Sequence, residues 1–222
     1  MRTYASAGSS DEGVMGAGWS MNYMSTLVIS SCAWTVRGGD GSGQSFTRVG
    51  ERFVPQKGYH TELVRNGDGS FDFFTKGRVR YHYLDIELFE GEELYGGRPT
   101  LSFIEEPNGN RLELVYDAQR NITKVKEVFR GGVEGRSLAF EYVQVLGEPR
   151  LKRVRGPMSL EVTYEYDENG NLIEARRDER VERYEYDKAN VDDRHNLVLY
   201  TDANGNETRY RYFEQGDVFP GE

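Results

Sequence analysis

The sequence predicts an all-β fold in which repeated antiparallel β-hairpins form a curved or spiralling sheet. Three observations predict it. Apolar and polar residues alternate with period two in run after run, tight-turn dipeptides separate the runs, and the punctuated units repeat.

Along the chain, the alternation is clearest over residues 111–116, 137–142, 161–166, 182–186 and 208–212. In Glu161-Val162-Thr163-Tyr164-Glu165-Tyr166, the residues Val162, Tyr164 and Tyr166 share one face, and Glu161, Thr163 and Glu165 share the other. Side chains of a strand point alternately to its two faces, so each such run is a half-buried strand. The i, i+3, i+4 spacing of a helix is hardly seen. Asn-Gly stands at Asn66-Gly67, Asn108-Gly109, Asn169-Gly170 and Asn204-Gly205. A type I′ turn needs positive φ at both central residues, which Asn and Gly tolerate best, so 169–170 and 204–205 are predicted to be such turns. Gly131-Gly132 is predicted to close a hairpin between Val125–Phe129 and Ser137–Tyr142.

Composition narrows the function classes. Aromatic residues make up 13% of the 222, too rich for a solvated coil. A net charge of −9 repels nucleic acid and anionic membranes, so neither is an expected partner. The basic pairs Lys152-Arg153 and Arg176-Arg177 sit among acidic residues and read as solvated strand faces. No apolar run is long enough to span a bilayer, and residues 1–20 carry no secretory signal, so export would be directed from outside them. Cys32 is the lone cysteine and reads as buried filler in the apolar run 27–34.

Two elements recur. Tyr116-Asp117-Ala118-Gln119-Arg120-Asn121-Ile122 parallels Tyr166-Asp167-Glu168-Asn169-Gly170-Asn171-Leu172, and Tyr186-Asp187 reaches His195-Asn196-Leu197 after an insertion. Pro107-Asn108-Gly109-Asn110-Arg111 is echoed by Ala203-Asn204-Gly205-Asn206-Glu207. A recurring supersecondary unit implies a sheet grown by stacking similar hairpins.

These units resemble the YD repeats of the Rhs family, related to the teneurins and to the shell component of bacterial ABC toxins. The family pattern runs Tyr-x-Tyr-Asp, several residues, Gly-x-Leu, then a Gly-containing turn and a strand ending in Tyr. Tyr164, Tyr166, Asp167, Gly170 and Leu172 match it closely, and Tyr184, Tyr186, Asp187, Gly205, Tyr210 and Tyr212 match it with an insertion; Tyr116 and Asp117 open an earlier copy. Arg2-Thr3-Tyr4 through Gly16-Ala17-Gly18-Trp19-Ser20 is similar to the family's entry into its first repeats. The resemblance implies one YD-repeat β-sheet segment over 1–222, divergent over 1–100 and clearer over 101–222. It implies a non-catalytic piece of a bacterial shell, secreted or at the cell surface, that encloses a toxin or supports adhesion. The implied partners are the remaining repeats of a longer protein and an enclosed toxin domain. Neither the family's self-cleaving core motif nor a following toxin domain is found, and the chain reads as an excerpt.

Other chemistry fits these residues less well. Asp167-Glu168-Asn169-Gly170-Asn171 begins like a calcium loop, but Leu172 stands where Gly is needed and Asp178 where Glu is needed. Gly38-Gly39-Asp40-Gly41-Ser42-Gly43 occurs once and reads as a flexible hairpin loop. His60, His82 and His195 lack ligand spacing, so no metal, cofactor or catalytic set is expected. The alternative function is a carbohydrate-binding adhesive module with Trp19 and Trp34 as sugar-stacking residues; a cryptic hydrolase ranks below it. The last strand, placed at Glu207–Tyr212, presents an edge expected to favour weak edge-to-edge self-association.

Overall fold

A computed structural model describes residues 2–5, 12–30, 33–84, 99–187 and 193–212. Cys32 lies outside the described residues. Every regular element among them is a strand, and among the described residues no helix is long and apolar enough to cross a membrane. The first strands are short: β1 (Arg2–Tyr4), β2 (Glu12–Gly13), β3 (Gly16–Ala17) and β4 (Trp19–Met21). Four more follow as β5 (Thr26–Ile29), β6 (Trp34–Arg37), β7 (Gly43–Val49) and β8 (Arg52–Pro55). Then come β9 (Glu62–Arg65), β10 (Phe71–Phe74), β11 (Arg80–Leu84), β12 (Thr100–Glu105), β13 (Arg111–Tyr116), β14 (Ile122–Phe129) and β15 (Val133–Val145). The last are β16 (Glu148–Arg155), β17 (Glu161–Tyr166), β18 (Leu172–Arg177), β19 (Arg180–Tyr186), β20 (Leu197–Thr201) and β21 (Glu207–Arg209).

β9 to β21 form one 13-stranded sheet whose spatial order is the chain order, and it is not closed into a barrel. β5 to β8 form a separate four-stranded sheet, and β1–β4 and β2–β3 are two-stranded ribbons. Most of the connections are only a few residues long, too short for the crossover that parallel neighbours need. The described residues group into two compact units, Met1–Thr3 with Ser20–Phe140 and Arg155–Ser159, and Tyr4–Trp19 with Glu141–Val154 and Leu160–Glu222.

The first unit is packed by aromatic rings. Trp34 lies with its ring centre 4.7 Å from Phe53 and 5.2 Å from Phe71, and Phe73 sits 5.8 Å from Tyr81. Leu27, Phe46, Phe71 and Tyr83 are fully buried there. On the opposite face of β10 and β11, Asp72 is buried, and its carboxylate meets His82 Nδ1 at 2.7 Å and accepts from Asn66 Nδ2 at 3.1 Å. That polar cluster is why the run Phe71-Asp72-Phe73-Phe74 hides its alternation. The second unit buries Met15, Trp19, Leu151, Leu172, Tyr184, Tyr186 and Leu197.

The hairpin turns differ from the sequence expectation. Gly170 (φ 77°) and Gly205 (φ 86°) are left-handed, but Asn169 and Asn204 are not. In each, the loop has three residues, not two: Gly170 N–H donates to Asp167 O, and Asp167 N–H to Asn171 O. This is a type I turn followed by a left-handed residue, so Gly takes the bulge position and Asn precedes it. The left-handed residue of the 66–70 loop is Gly69, not Gly67. Gly131 and Gly132 do close a hairpin, but its second strand begins at Val133, and the last strand stops at Arg209 instead of reaching Tyr212.

Candidate functional site: the tyrosine latch of the repeats

Each repeat ends a strand on Tyr, turns through an Asp-headed loop, and returns on Leu or Ile. The registers pair Tyr116 with Ile122, Tyr166 with Leu172, and Tyr186 with Leu197. One residue beyond each Leu or Ile the register shifts, so Thr123, Ile173 and Val198 are bulged. A bulge raises the local twist and ends regular pairing with the next strand. Accordingly the ladders to the following strands begin only at Glu174 on β18 and Leu199 on β20, two residues in from Leu172 and Leu197. Carbonyl oxygens at those positions need another donor, because an unpaired buried backbone group is costly.

The tyrosines supply it. Tyr186 donates its hydroxyl to Leu172 O at 2.8 Å, Tyr212 to Leu197 O at 2.9 Å, Tyr166 to Leu151 O at 2.8 Å and Tyr116 to Leu101 O at 2.6 Å. Leu172 is itself the partner of Tyr166, and Leu197 that of Tyr186. Tyr186 and Tyr212 therefore each bond the element that the previous tyrosine pairs with, and these last repeats are linked in series.

The Asp after Tyr organises the loop. Asp167 accepts from the N–H groups of Asn169 and Asn171 at 2.9 Å and from Asn171 Nδ2 at 3.0 Å. Asp117 does the same with Gln119 and Asn121, and Asp202, which follows Thr201 instead of a Tyr, with Asn204 and Asn206. The Asn206 amide, then the backbone N–H groups, hold the Asp202 carboxyl below its usual range. In the inserted copy, Asp187 keeps the backbone bond to Asn196 O at 2.9 Å, while Asp193 takes the Asn196 amide. The closing Asn was not singled out from sequence, although Asp-x-x-x-Asn at 117–121, 167–171 and 202–206 is the signal that finds it.

In the second unit, the segment Tyr4–Trp19 adds donors to the same positions. Tyr4 donates its hydroxyl to His195 O at 2.7 Å and accepts from Leu197 N–H at 3.0 Å. Trp19 Nε1 donates to the Tyr186 hydroxyl at 2.7 Å, so that oxygen both accepts and donates, and burial pushes its ionisation far up. Asn171 is fully buried between Asp167, the Arg194 carbonyl and His195 Nδ1. The Trp19 ring is covered by Tyr4 at 5.4 Å and Tyr184 at 4.6 Å, and Trp34 lies between Phe53 and Phe71. With exposures of 7% and 5%, neither indole offers a face on which a sugar ring stacks. Tyr164 is half-buried opposite Ala175, and Tyr210 is exposed, with its N–H on Val198 O.

The fold and the latch together define an antiparallel YD-repeat sheet. A family model described as a domain of unknown function, DUF6531, matches residues 1–46. The "Probable deoxyribonuclease RhsA" of Dickeya dadantii (strain 3937) is 30% identical over 158 residues, 69% of this chain and 10% of that protein. The N-terminal domain of effector protein SpvB from Salmonella typhimurium strain LT2 overlaps 94% of this chain and 92% of its own at 14% identity and a TM-score of 0.45. TcdB2-TccC3 without its hypervariable C-terminal region overlaps 77% of this chain and 11% of its own at 14% identity and a TM-score of 0.27. The chain belongs to the Rhs/YD-repeat family, and it spans about a tenth of the length of the curated relative it matches.

Proposed function

We propose that this chain is a non-catalytic structural segment of an Rhs-type shell that encloses a toxin domain, secreted or at a bacterial surface. The observation that carries the reading is the serial latch: the polar groups that recur in the repeats are engaged in holding one hairpin to the last. Asp117, Asp167 and Asp202, the acids that recur, are all committed to their own loops. Among the described residues no group of three His, Cys, Asp or Glu could hold a metal ion.

Two measurements test it. The 222-residue chain, incubated with supercoiled plasmid and magnesium, leaves the plasmid intact; nicking that survives repurification refutes the non-catalytic assignment. In the full reading frame that contains this chain, the domain following the repeats resists protease for as long as the sheet is folded. Digestion of that domain at the rate of the isolated domain refutes enclosure.

A further inference from the structure

The two ends of the large sheet are not alike. At one end β8 runs beside β9. At the other, β21 pairs with β20 through Thr201–Glu207, Tyr200–Thr208 and Leu199–Arg209, and among the described residues no strand pairs with its outer side. All three of its residues are exposed. Two bonds fix the direction of its backbone groups: Asp202 N–H donates to Asn206 O at 2.9 Å, and Tyr210 N–H to Val198 O at 3.0 Å. Antiparallel ladders alternate, so Asn206, Thr208 and Tyr210 turn their backbone groups to β20. The N–H and C=O of Glu207 and Arg209 therefore point outward, where a further strand can bond them.

Little guards this edge. Residues 207–212 contain no Pro and no Lys, and the ladder to β20 has no register shift. Its charges alternate in sign, with Glu207 and Arg209 on one face and joined at 2.8 Å. An antiparallel copy turned about Thr208 sets Glu207 opposite Arg209 of the second copy, and Thr208 opposite Thr208. In that register Glu207 and Arg209 fall at hydrogen-bonded sites and exchange N–H···O bonds in both directions. The two ion pairs then meet as one ring of four charges, and opposite charges directly across neighbouring strands stabilise the pairing. We propose that the outer edge of β21 binds a second copy of itself, antiparallel, about a two-fold axis between the two Thr208 residues, so that the sheet continues from one chain into the next. Few bonds form, and a net charge of −9 on each copy opposes them, so the association is weak. This goes beyond the shell assignment and does not depend on it.

Sedimentation equilibrium of the whole 222-residue chain is the test. The parent forms a concentration-dependent dimer. Arg209→Glu sets Glu opposite Glu across the axis, and Glu207→Arg sets Arg opposite Arg. Each weakens self-association by roughly ten-fold, whereas an equimolar mixture of the two restores a heterodimer of parental strength. Both sites are exposed and the ion pair lost lies at the surface, so the fold survives, as circular dichroism checks. The register is read by cross-linking in a Cys32→Ser chain. The two Thr208 Cα atoms lie about 4.5 Å apart in this pairing, within the roughly 4.4–6.8 Å that a disulfide spans. Thr208→Cys therefore cross-links to itself under an added oxidant, and Tyr210→Cys, which faces Asn206 of the second copy, does not. The proposal is overturned if the parent stays monomeric up to its solubility limit, or if both charge variants dimerise as the parent does. It is equally overturned if the mixture associates no more than its components, or if Tyr210→Cys cross-links as readily as Thr208→Cys.

Discussion

The stretch from β5 to β11 and the stretch from β16 to β21 are both antiparallel hairpins, yet they are held together differently. The first is joined by large apolar rings that fill space: Trp34, Phe46, Phe53, Phe71 and Phe73. The second is joined by hydroxyls aimed at particular carbonyls, Tyr166 on Leu151, Tyr186 on Leu172 and Tyr212 on Leu197. Ring packing tolerates any sequence of suitable volume. A hydrogen bond at a fixed position requires one residue type at one register, and so it imposes a repeat. The difference explains why the repeat fades over residues 1–100 although the strands do not.

The largest effect that would test this contrast lies in the ring-packed stretch. Phe71→Ala removes a fully buried ring and is expected to cost about 3–5 kcal/mol in urea denaturation. A cost below that of the hydroxyl deletions would show that packing does not dominate there. Tyr186→Phe keeps the volume but strips both Leu172 O and the Trp19 N–H of their partner. It is expected to cost about 1–3 kcal/mol, read by Trp19 fluorescence in the same assay. No loss at all would break the latch.

The loops sharpen the comparison further. Gly170→Ala meets a left-handed φ and the Arg150 guanidinium 3.3 Å from the new Cβ, whereas Gly205→Ala meets the φ alone. A left-handed residue with a Cβ costs roughly 1–2 kcal/mol, so both lose stability and Gly170→Ala loses more. Thermal melts that rank them the other way would exclude a role for the Arg150 contact. On acidification, Asp202 has a folded pKa below its unfolded value of about 3.9, so its contribution is present above that value and is lost as pH falls through the folded pKa. Asp202→Asn should flatten this part of the acid transition, as followed by circular dichroism between pH 5 and pH 2. The smallest effect has the opposite sign. Arg120 occupies the left-handed loop position at φ 65°, where Gly stands at 170 and 205, so Arg120→Gly is expected to raise stability by up to about 1 kcal/mol.

How much of this was legible follows from the same contrast. Strand β17 could be drawn at Glu161–Tyr166 from alternation alone, because it is flanked by strong turn residues. The loop type could not, since Asn-Gly serves two-residue and three-residue loops alike; the deciding residue is Asp167, which fixes the loop length through Asn171. The tyrosines were recognised by their recurrence, but the carbonyls that they bond carry no side-chain signature. Tyr4 and Asn171 carry no sequence sign of their bonds for a related reason. Their partners, His195 and Leu197 for one and Arg194 and His195 for the other, are distant in sequence and are met largely through main-chain atoms.

The order of the large sheet also has a kinetic meaning. Because β9 to β21 neighbour one another in the order in which they are synthesised, each hairpin can pair as soon as it emerges, with little loop entropy to overcome. The bond from Tyr4 to His195 spans 191 residues and belongs to the other extreme. The N-terminal segment therefore waits, made first and docked last, until the strand carrying Leu197 has arrived. Deleting a hairpin between them would leave local zippering fast while delaying or abolishing only that final closure.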